Sequence, residues 1–501
     1  MHKPSAANTF DVIVVGGGGA GLSAAIEAAE LGRSVLLVEK ESQLGGSTAW
    51  SVGSISVTNS EHQRRAGIAD TPEAHFEDLE ALSGSYANRD NRVLRRVLVD
   101  NITQTFQWLQ DRGLVFVGPM PEPPHRYPRM HNVLPNSRAF RDRLGSWARR
   151  VGVELRTDSL VTDILFEGAE VCGIEITPKV GATYQAHARG GVVLAGGDYS
   201  ANPQLKRRYA SEDAARLSPV NPAATGEGIV LGQRAGGDIV NGDVVRGPVI
   251  RFVPPPKSWT DSIPSHPSVT KLMRLVFERV PSKFVRPFMM KFLTTALGLS
   301  GELLRAGAIL VNREGVRYCD ELDDPNPRTA AQTDGLAWVV FDSRIGEAFQ
   351  CWPNFVSTAP GVAYAYLSDY QRTRPDVFYQ ADSLATLAGK VGWAPGSLEE
   401  TVSRFNESDS PHRLTQAPFY ALGPVKAYVV FTDGGLNVNE HLEVLTADGA
   451  AIPKLYAAGS NGQGGVMLEG HGHHLGWAFV SGRLAGRHAA FNVASEPSEH
   501  A

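Results

Sequence analysis

With 501 residues, a formal net charge of −5 and 42% hydrophobic residues, the chain is too long for a single core. Two domains, or one with a large insertion, are predicted. The slight acidity gives no reason to expect nucleic-acid binding, so the expected partners are small molecules. Cys172, Cys319 and Cys351 form no CxxC or CxxxxC pair, which argues against a metal knuckle, a haem attachment site or a redox disulfide. Met1 to Thr9 lack an apolar core and no later run is long and uncharged enough to span a bilayer, from which a cytoplasmic location is expected.

The first element is the most informative. Val12 to Val15 read as a buried strand, Gly16, Gly18 and Gly21 as the tight turn that brings a pyrophosphate to a helix N-terminus, and Val35 to Val38 as a second strand closed by Glu39. Strand, glycines, helix and a terminal acid that can accept hydrogen bonds from a ribose define a dinucleotide-binding βαβ unit. Residues 71 to 113 are predicted helical, and Arg138 to Val151 form a second amphipathic helix. Val153 to Arg156 are then predicted as a third parallel strand, followed by a meander of Ser159–Phe166, Val171–Thr177, Thr183–Ala188 and Gly191–Leu194 that ends in Ala195-Gly-Gly197. The character changes near Val245, with Pro254-Pro-Pro256, a basic and aromatic stretch, and short elements to about Phe431. The cofactor-binding pattern resumes at Gly434 to Val438 and Leu455 to Gly459, before a glycine-rich loop and a last helix. The predicted organisation is an α/β, Rossmann-like domain of residues 1–244 and 433–501, with an α+β capping or substrate domain of residues 245–432 inserted.

Six motifs in order, Gly16 to Gly21 with Glu39, Gly45 to Ser51, Ala195 to Gly197, Thr225 to Gly228, Ala308 to Gly315 and Leu455 to Gly459, resemble the FAD-dependent superfamily of fumarate reductase, succinate dehydrogenase and 3-ketosteroid dehydrogenases. The resemblance spans nearly the whole chain and implies FAD. It implies that Gly16, Gly18, Gly19, Ala20, Gly21, Glu39 and Lys40 surround the adenosine and pyrophosphate, with Gly45, Gly46, Ser47 and Thr48 donating near the pyrophosphate and isoalloxazine. Val161 would offer its backbone to adenine, Ala195 and Gly196 would pass close to the cofactor, and Gly459 and Ser460 would lie near the ribityl chain. His474 and Leu475 open the last helix, whose N-terminus favours negative charge on reduced flavin.

Departures from the family pattern narrow the chemistry. Serine at position 47, where succinate dehydrogenases carry a flavin-linking histidine, implies noncovalent FAD. Where soluble fumarate reductases place substrate-binding arginines and a histidine, this chain has Asp324 and Pro325, His474 and Phe431. A dicarboxylate wants bidentate guanidinium partners, so fumarate or succinate chemistry is not expected. The ketosteroid dehydrogenase pattern matches at Gly472, but its tyrosine position falls near Leu468. The dense loop Glu469-Gly-His-Gly-His-His474 suits proton transfer or carbonyl polarisation better than metal binding, because its glycines should face flavin. No metal is expected.

The reaction expected is α,β-dehydrogenation of a cyclic or steroid-like ketone. The Gly472 N–H would stabilise the enolate oxygen, with Tyr127, Tyr318, His471 and His473 the candidate bases. Glu302 and Arg305 match the spacing of a proton-relay pair, with a surface salt bridge as the plainer reading. Residues 271–291 carry six basic residues against one acid among apolar ones; an ordinary capping helix pair is favoured over a membrane-surface contact or an apolar substrate entrance. Electrons would pass to an external acceptor or dioxygen. An ene-reductase running the reverse reaction and a noncatalytic electron-transfer subunit are the alternatives.

Overall fold

The computed structural model describes residues 8–254, 263–280, 290, 297–359 and 363–493; most of the basic stretch beyond Val280 lies outside them. Strand β1 (Thr9–Val15), helix α1 (Gly19–Glu30), β2 (Val35–Val38), β3 (Glu154–Arg156), β4 (Tyr184–Leu194), β5 (Ala451–Ala457) and helix α2 (His473–Phe491) form the first layer set. Within an eight-stranded sheet these five strands run in the order β5-β4-β1-β2-β3, each parallel to the next. Val12 to Val15 are buried, as befits a strand covered on both faces, which explains the uninterrupted valine–isoleucine run.

One strand was predicted as two. Gly190 and Gly191 lie inside β4 because other backbone crowds it there. A Cβ at Gly190 would stand 2.3 Å from the Ala489 oxygen, and one at Gly191 2.6 Å from the Lys454 oxygen. Residues 71–113 divide into helices Pro72–Ser83 and Arg92–Asp111, because Asn91 caps the second by accepting from the Val93 and Leu94 N–H groups, both at 3.2 Å. A three-stranded sheet of Ser54–Ser56, Met130–Leu134 and Val115–Met120 was not foreseen, its prolines having masked the strands.

Helices α1 and α2 lie close enough that a Cβ at Gly482 or Gly486 would meet the Ala20 or Ala24 oxygen at 2.3 and 2.2 Å. The seam is fastened by Arg483, whose Nε donates to Glu27 Oε2 at 2.9 Å, both residues being 7% exposed. Burial alone would raise the Glu27 pKa, but Arg483 and Arg487 outweigh it and hold the carboxyl below its ordinary 4.5. Arg483→Met is therefore expected to lower unfolding free energy by about 3 kcal/mol, the low end for breaking a buried pair because Arg487 still reaches Glu27. Denaturant titration checks this. The Glu27 contribution is complete above pH 4.5 and is lost as pH falls further.

A second hydrophobic cluster is drawn from Ile250 to Ala427. Its sheet runs Ile309–Val311, Leu336–Phe341, Phe419–Val429, Val249–Phe252, Gly298–Leu299, Ser357–Ala359, Ala363–Ala365. The chain passes toward this sheet and back side by side, through the antiparallel pair Val245–Arg246 and Phe431–Thr432. That ribbon places Arg246 next to Asp433, and both next to the N-terminus of α2.

Candidate active site

The C-terminal ends of β1, β2 and β4 open onto a cleft, the position where open α/β sheets receive ligands. Of the expected cofactor residues, Gly16, Gly18, Gly19, Ala20, Glu39, Lys40, Gly46, Ser47, Thr48, Val161, Ala195, Gly196, Gly459 and Ser460 line it. Gly21 and Gly45 shape it from behind: Gly45 donates its N–H to the Gly17 oxygen at 2.8 Å. His474 and Leu475 form the first turn of α2, about one turn before Ala478 in the cleft wall.

The walls fit a dinucleotide. Glu39 is positioned by accepting from the Gly17 N–H at 2.6 Å and the Glu41 N–H at 2.8 Å, which leaves carboxylate lone pairs for ribose hydroxyls. At Gly18 the nearest atom to an added Cβ is 4.0 Å away, so the absent side chain leaves room for a ligand rather than for the protein. Lys40 donates to Thr225 and, at 2.9 Å, to Glu227, which gives the Thr225 to Gly228 motif a structural role beside the cleft. Asn461 accepts from the Gly196 N–H at 2.9 Å, while its buried Nδ2 has no protein partner one residue from Ser460.

Ahead of α2 the loop is built from distant parts of the chain. Glu122, buried on the proline-rich loop after Val115–Met120, accepts both the His471 backbone N–H at 2.7 Å and its Nδ1 at 2.6 Å. His471 keeps 33% of its side chain exposed. Because Nδ1–H is given to Glu122, Nε2 carries the free lone pair.

His473 is different. Its Nδ1 lies 2.5 Å from the Glu469 oxygen and its Nε2 3.1 Å from His75 Nε2. The carbonyl can only accept, so His473 carries its proton on Nδ1, His75 donates from Nε2, and Thr58 donates to His75 Nδ1 at 2.7 Å. Burial pushes both imidazoles well below their ordinary 6.5. The unfolded chain takes up these protons below about pH 6.5 and the folded one does not, so stability is expected to fall with pH from there. His75→Ala leaves His473 Nε2 without its donor and should cost about 1–3 kcal/mol in denaturant titration.

Arg246 is bound to two carboxylates. Its Nε donates to Asp433 Oδ2 at 2.6 Å and its Nη1 pairs with Glu469. Gln463 donates to Asp433 Oδ1 at 3.0 Å. His474 Nε2 is buried, 3.8 Å from Asp433 Oδ1, and burial pushes its pKa down to about 4. Phe431 packs on the imidazole with ring centroids 3.8 Å apart.

The remaining expected residues lie elsewhere or have other partners. Tyr318 hydrogen-bonds Thr329 at 2.7 Å against the second core, and burial raises its pKa above the ordinary tyrosine value. Tyr127 is half-buried, 5.7 Å from the Arg129 guanidinium. Glu302 and Arg305 are a mutual, exposed ion pair, as in the plainer reading. Glu122, Arg246, Asp433 and Asn461 escaped sequence reasoning. The acid directly before Gly434-Gly435 was the available signal for Asp433; nothing local marks Glu122.

Fold and cleft together define a dinucleotide-binding flavoprotein. The chain belongs to the FAD binding domain family, whose model matches residues 11–249 and 288–468, and it binds FAD. Among curated relatives it is 27% identical over 495 residues to the NADH:fumarate oxidoreductase of Klebsiella pneumoniae (strain 342), covering 97% of this chain and 48% of that one. It thus spans about half that relative's length. It is 25% identical to the 3-oxosteroid 1-dehydrogenase of Mycobacterium tuberculosis (strain ATCC 25618 / H37Rv), covering 96% and 98% of the two chains. The open conformation of a flavocytochrome c3 fumarate reductase shares the fold, with a TM-score of 0.73 at 23% identity over 97% of this chain and 79% of that one.

Proposed function

We propose that the protein is an FAD-dependent oxidoreductase acting on CH–CH bonds, and that its substrate is a neutral, hydrophobic cyclic or steroid-like ketone which it desaturates at the α,β position. The carrying observation is the charge pattern: Arg246, beside the start of α2, is already shared by Asp433 and Glu469. It offers no free guanidinium for a substrate carboxylate, and the neighbouring imidazole and phenyl of His474 and Phe431 supply none.

FAD, when bound, supplies a hydride-accepting centre. The first turn of α2 has N–H groups without intrahelical partners, and with the Gly472 N–H these would polarise the ketone oxygen and hold the enolate charge. His471 Nε2 would take the α-proton, while Glu122 fixes the ring and stabilises the imidazolium that forms. Hydrogen leaves the β-carbon as hydride, so one proton and one hydride account for the new double bond. His473, with both ring nitrogens engaged, positions the loop, and Tyr127 and Tyr318 stand further down the order of candidate bases. Ser47, held by Asn221 Nδ2 at 2.9 Å, offers no imidazole for covalent attachment, so acid precipitation should release all flavin into the supernatant.

The relatives' names include both reductases and a dehydrogenase, and reduction of a conjugated enone by the same groups in reverse is the second reading. Comparing kcat/KM for a neutral cyclic ketone or enone with the same compound bearing a carboxylate tests the charge argument. The neutral compound is expected to win by about a hundredfold or more, which corresponds to roughly 3 kcal/mol, the low end of the penalty for leaving a buried charge uncompensated. Faster turnover of a dicarboxylate would overturn it.

A further inference from the structure

Helix Pro267–Arg279 turns an apolar stripe outward. Leu272, Leu275 and Val276 are 62%, 41% and 43% exposed, and their i, i+3, i+4 spacing puts them on one face. The helix packs against strands Val115–Met120 and Met130–Leu134, and buried Thr270 marks its inward side. Lys271 and Arg279 are exposed beside the stripe, and the helix holds three basic residues against one acid in a chain whose net charge is −5. Trp50 and Val52, 54% and 40% exposed, precede Gly53, whose oxygen accepts from Val133 of the same sheet at 3.0 Å.

We propose that this helix seats the protein on an anionic phospholipid surface. Leucine and valine would enter the headgroup–acyl boundary, with lysine and arginine meeting the phosphates. The local positive charge against a negative whole selects an anionic partner. A stripe of three aliphatic side chains is far smaller than the roughly 800 Å² per partner that a stable protein interface buries, which disfavours a second copy as the occupant. Among the described residues no helix is long and apolar enough to cross a membrane, so the contact is peripheral. Strand Val115–Met120 under the helix leads directly to Glu122, which brings the candidate site close to the lipid. The proposal stands whatever the substrate is.

Co-sedimentation of the FAD-loaded full chain with phosphatidylcholine vesicles, with and without phosphatidylglycerol, tests it. Binding is expected only with phosphatidylglycerol and should weaken with added salt. Leu272→Asp/Leu275→Asp should lower the partition coefficient by at least about tenfold, with flavin content and Tm unchanged. Lys271→Glu/Arg279→Glu should remove the salt-dependent part. No binding by the unaltered protein, or equal binding by the leucine variant, would overturn the proposal. So would a leucine variant that changes oligomeric state in light scattering while its vesicle binding is unaltered.

Discussion

Purified Gly18→Ala protein is expected to fold normally and lack flavin. Gly18 has φ −75°, which alanine adopts freely, and the nearest protein atom to the new Cβ is 4.0 Å away. The methyl group would therefore meet only what the cleft receives, and an overpacking cost of about 3 kcal/mol corresponds to a dissociation constant about a hundredfold higher. Gly21→Ala separates the two roles of the turn. Its Cβ would sit 1.8 Å from the Gly16 oxygen, backbone that cannot swing aside, so this variant should lose both flavin and stability. Flavin absorbance per protein and Tm, measured on both variants, distinguish them. Full flavin occupancy in Gly18→Ala would mean that the pyrophosphate does not approach this turn.

His471→Gln is expected to retain flavin and lose about a thousandfold in kcat, within the range that a positioned acid–base group contributes. Glutamine cannot take up the proton. Glu122→Gln keeps the shape but removes the charge that orients the ring and stabilises the imidazolium. About tenfold to a hundredfold of kcat should go, with KM little changed, because Glu122 acts through His471 and not on the substrate. A purely structural role would instead lower Tm and raise KM. Unchanged kcat in His471→Gln would move the base to Tyr127 or another group.

These residues also show what the sequence revealed of the site and what it concealed. The Gly16 to Glu39 unit was legible because strand, turn, helix and acid are contiguous and each residue type answers one local steric or hydrogen-bonding need. The same holds for Ala195 to Gly197 and Gly459-Ser460, where small residues mark close passage. The histidine loop was visible as a dense run, but its division of labour was not. His473 is committed to His75, 398 positions away, and His471 to Glu122, 349 positions away. Arg246 and Asp433 meet only because the chain passes the second sheet through one antiparallel ribbon. No periodicity or spacing encodes such pairings; they are products of topology. The single strand at Gly190-Gly191 teaches the converse, since the glycines at which the sequence divides one strand into two serve there to admit neighbouring backbone.

Anaerobic mixing of the purified yellow protein with saturated cyclic ketones, including steroids, tests the desaturase assignment most directly. The flavin absorbance is expected to bleach, with a rate slowed by deuterium at the α- and β-carbons, and the product to be the α,β-unsaturated ketone. Flavin that stays oxidised with every ketone, yet is reoxidised by enones once chemically reduced, would contradict the assigned direction.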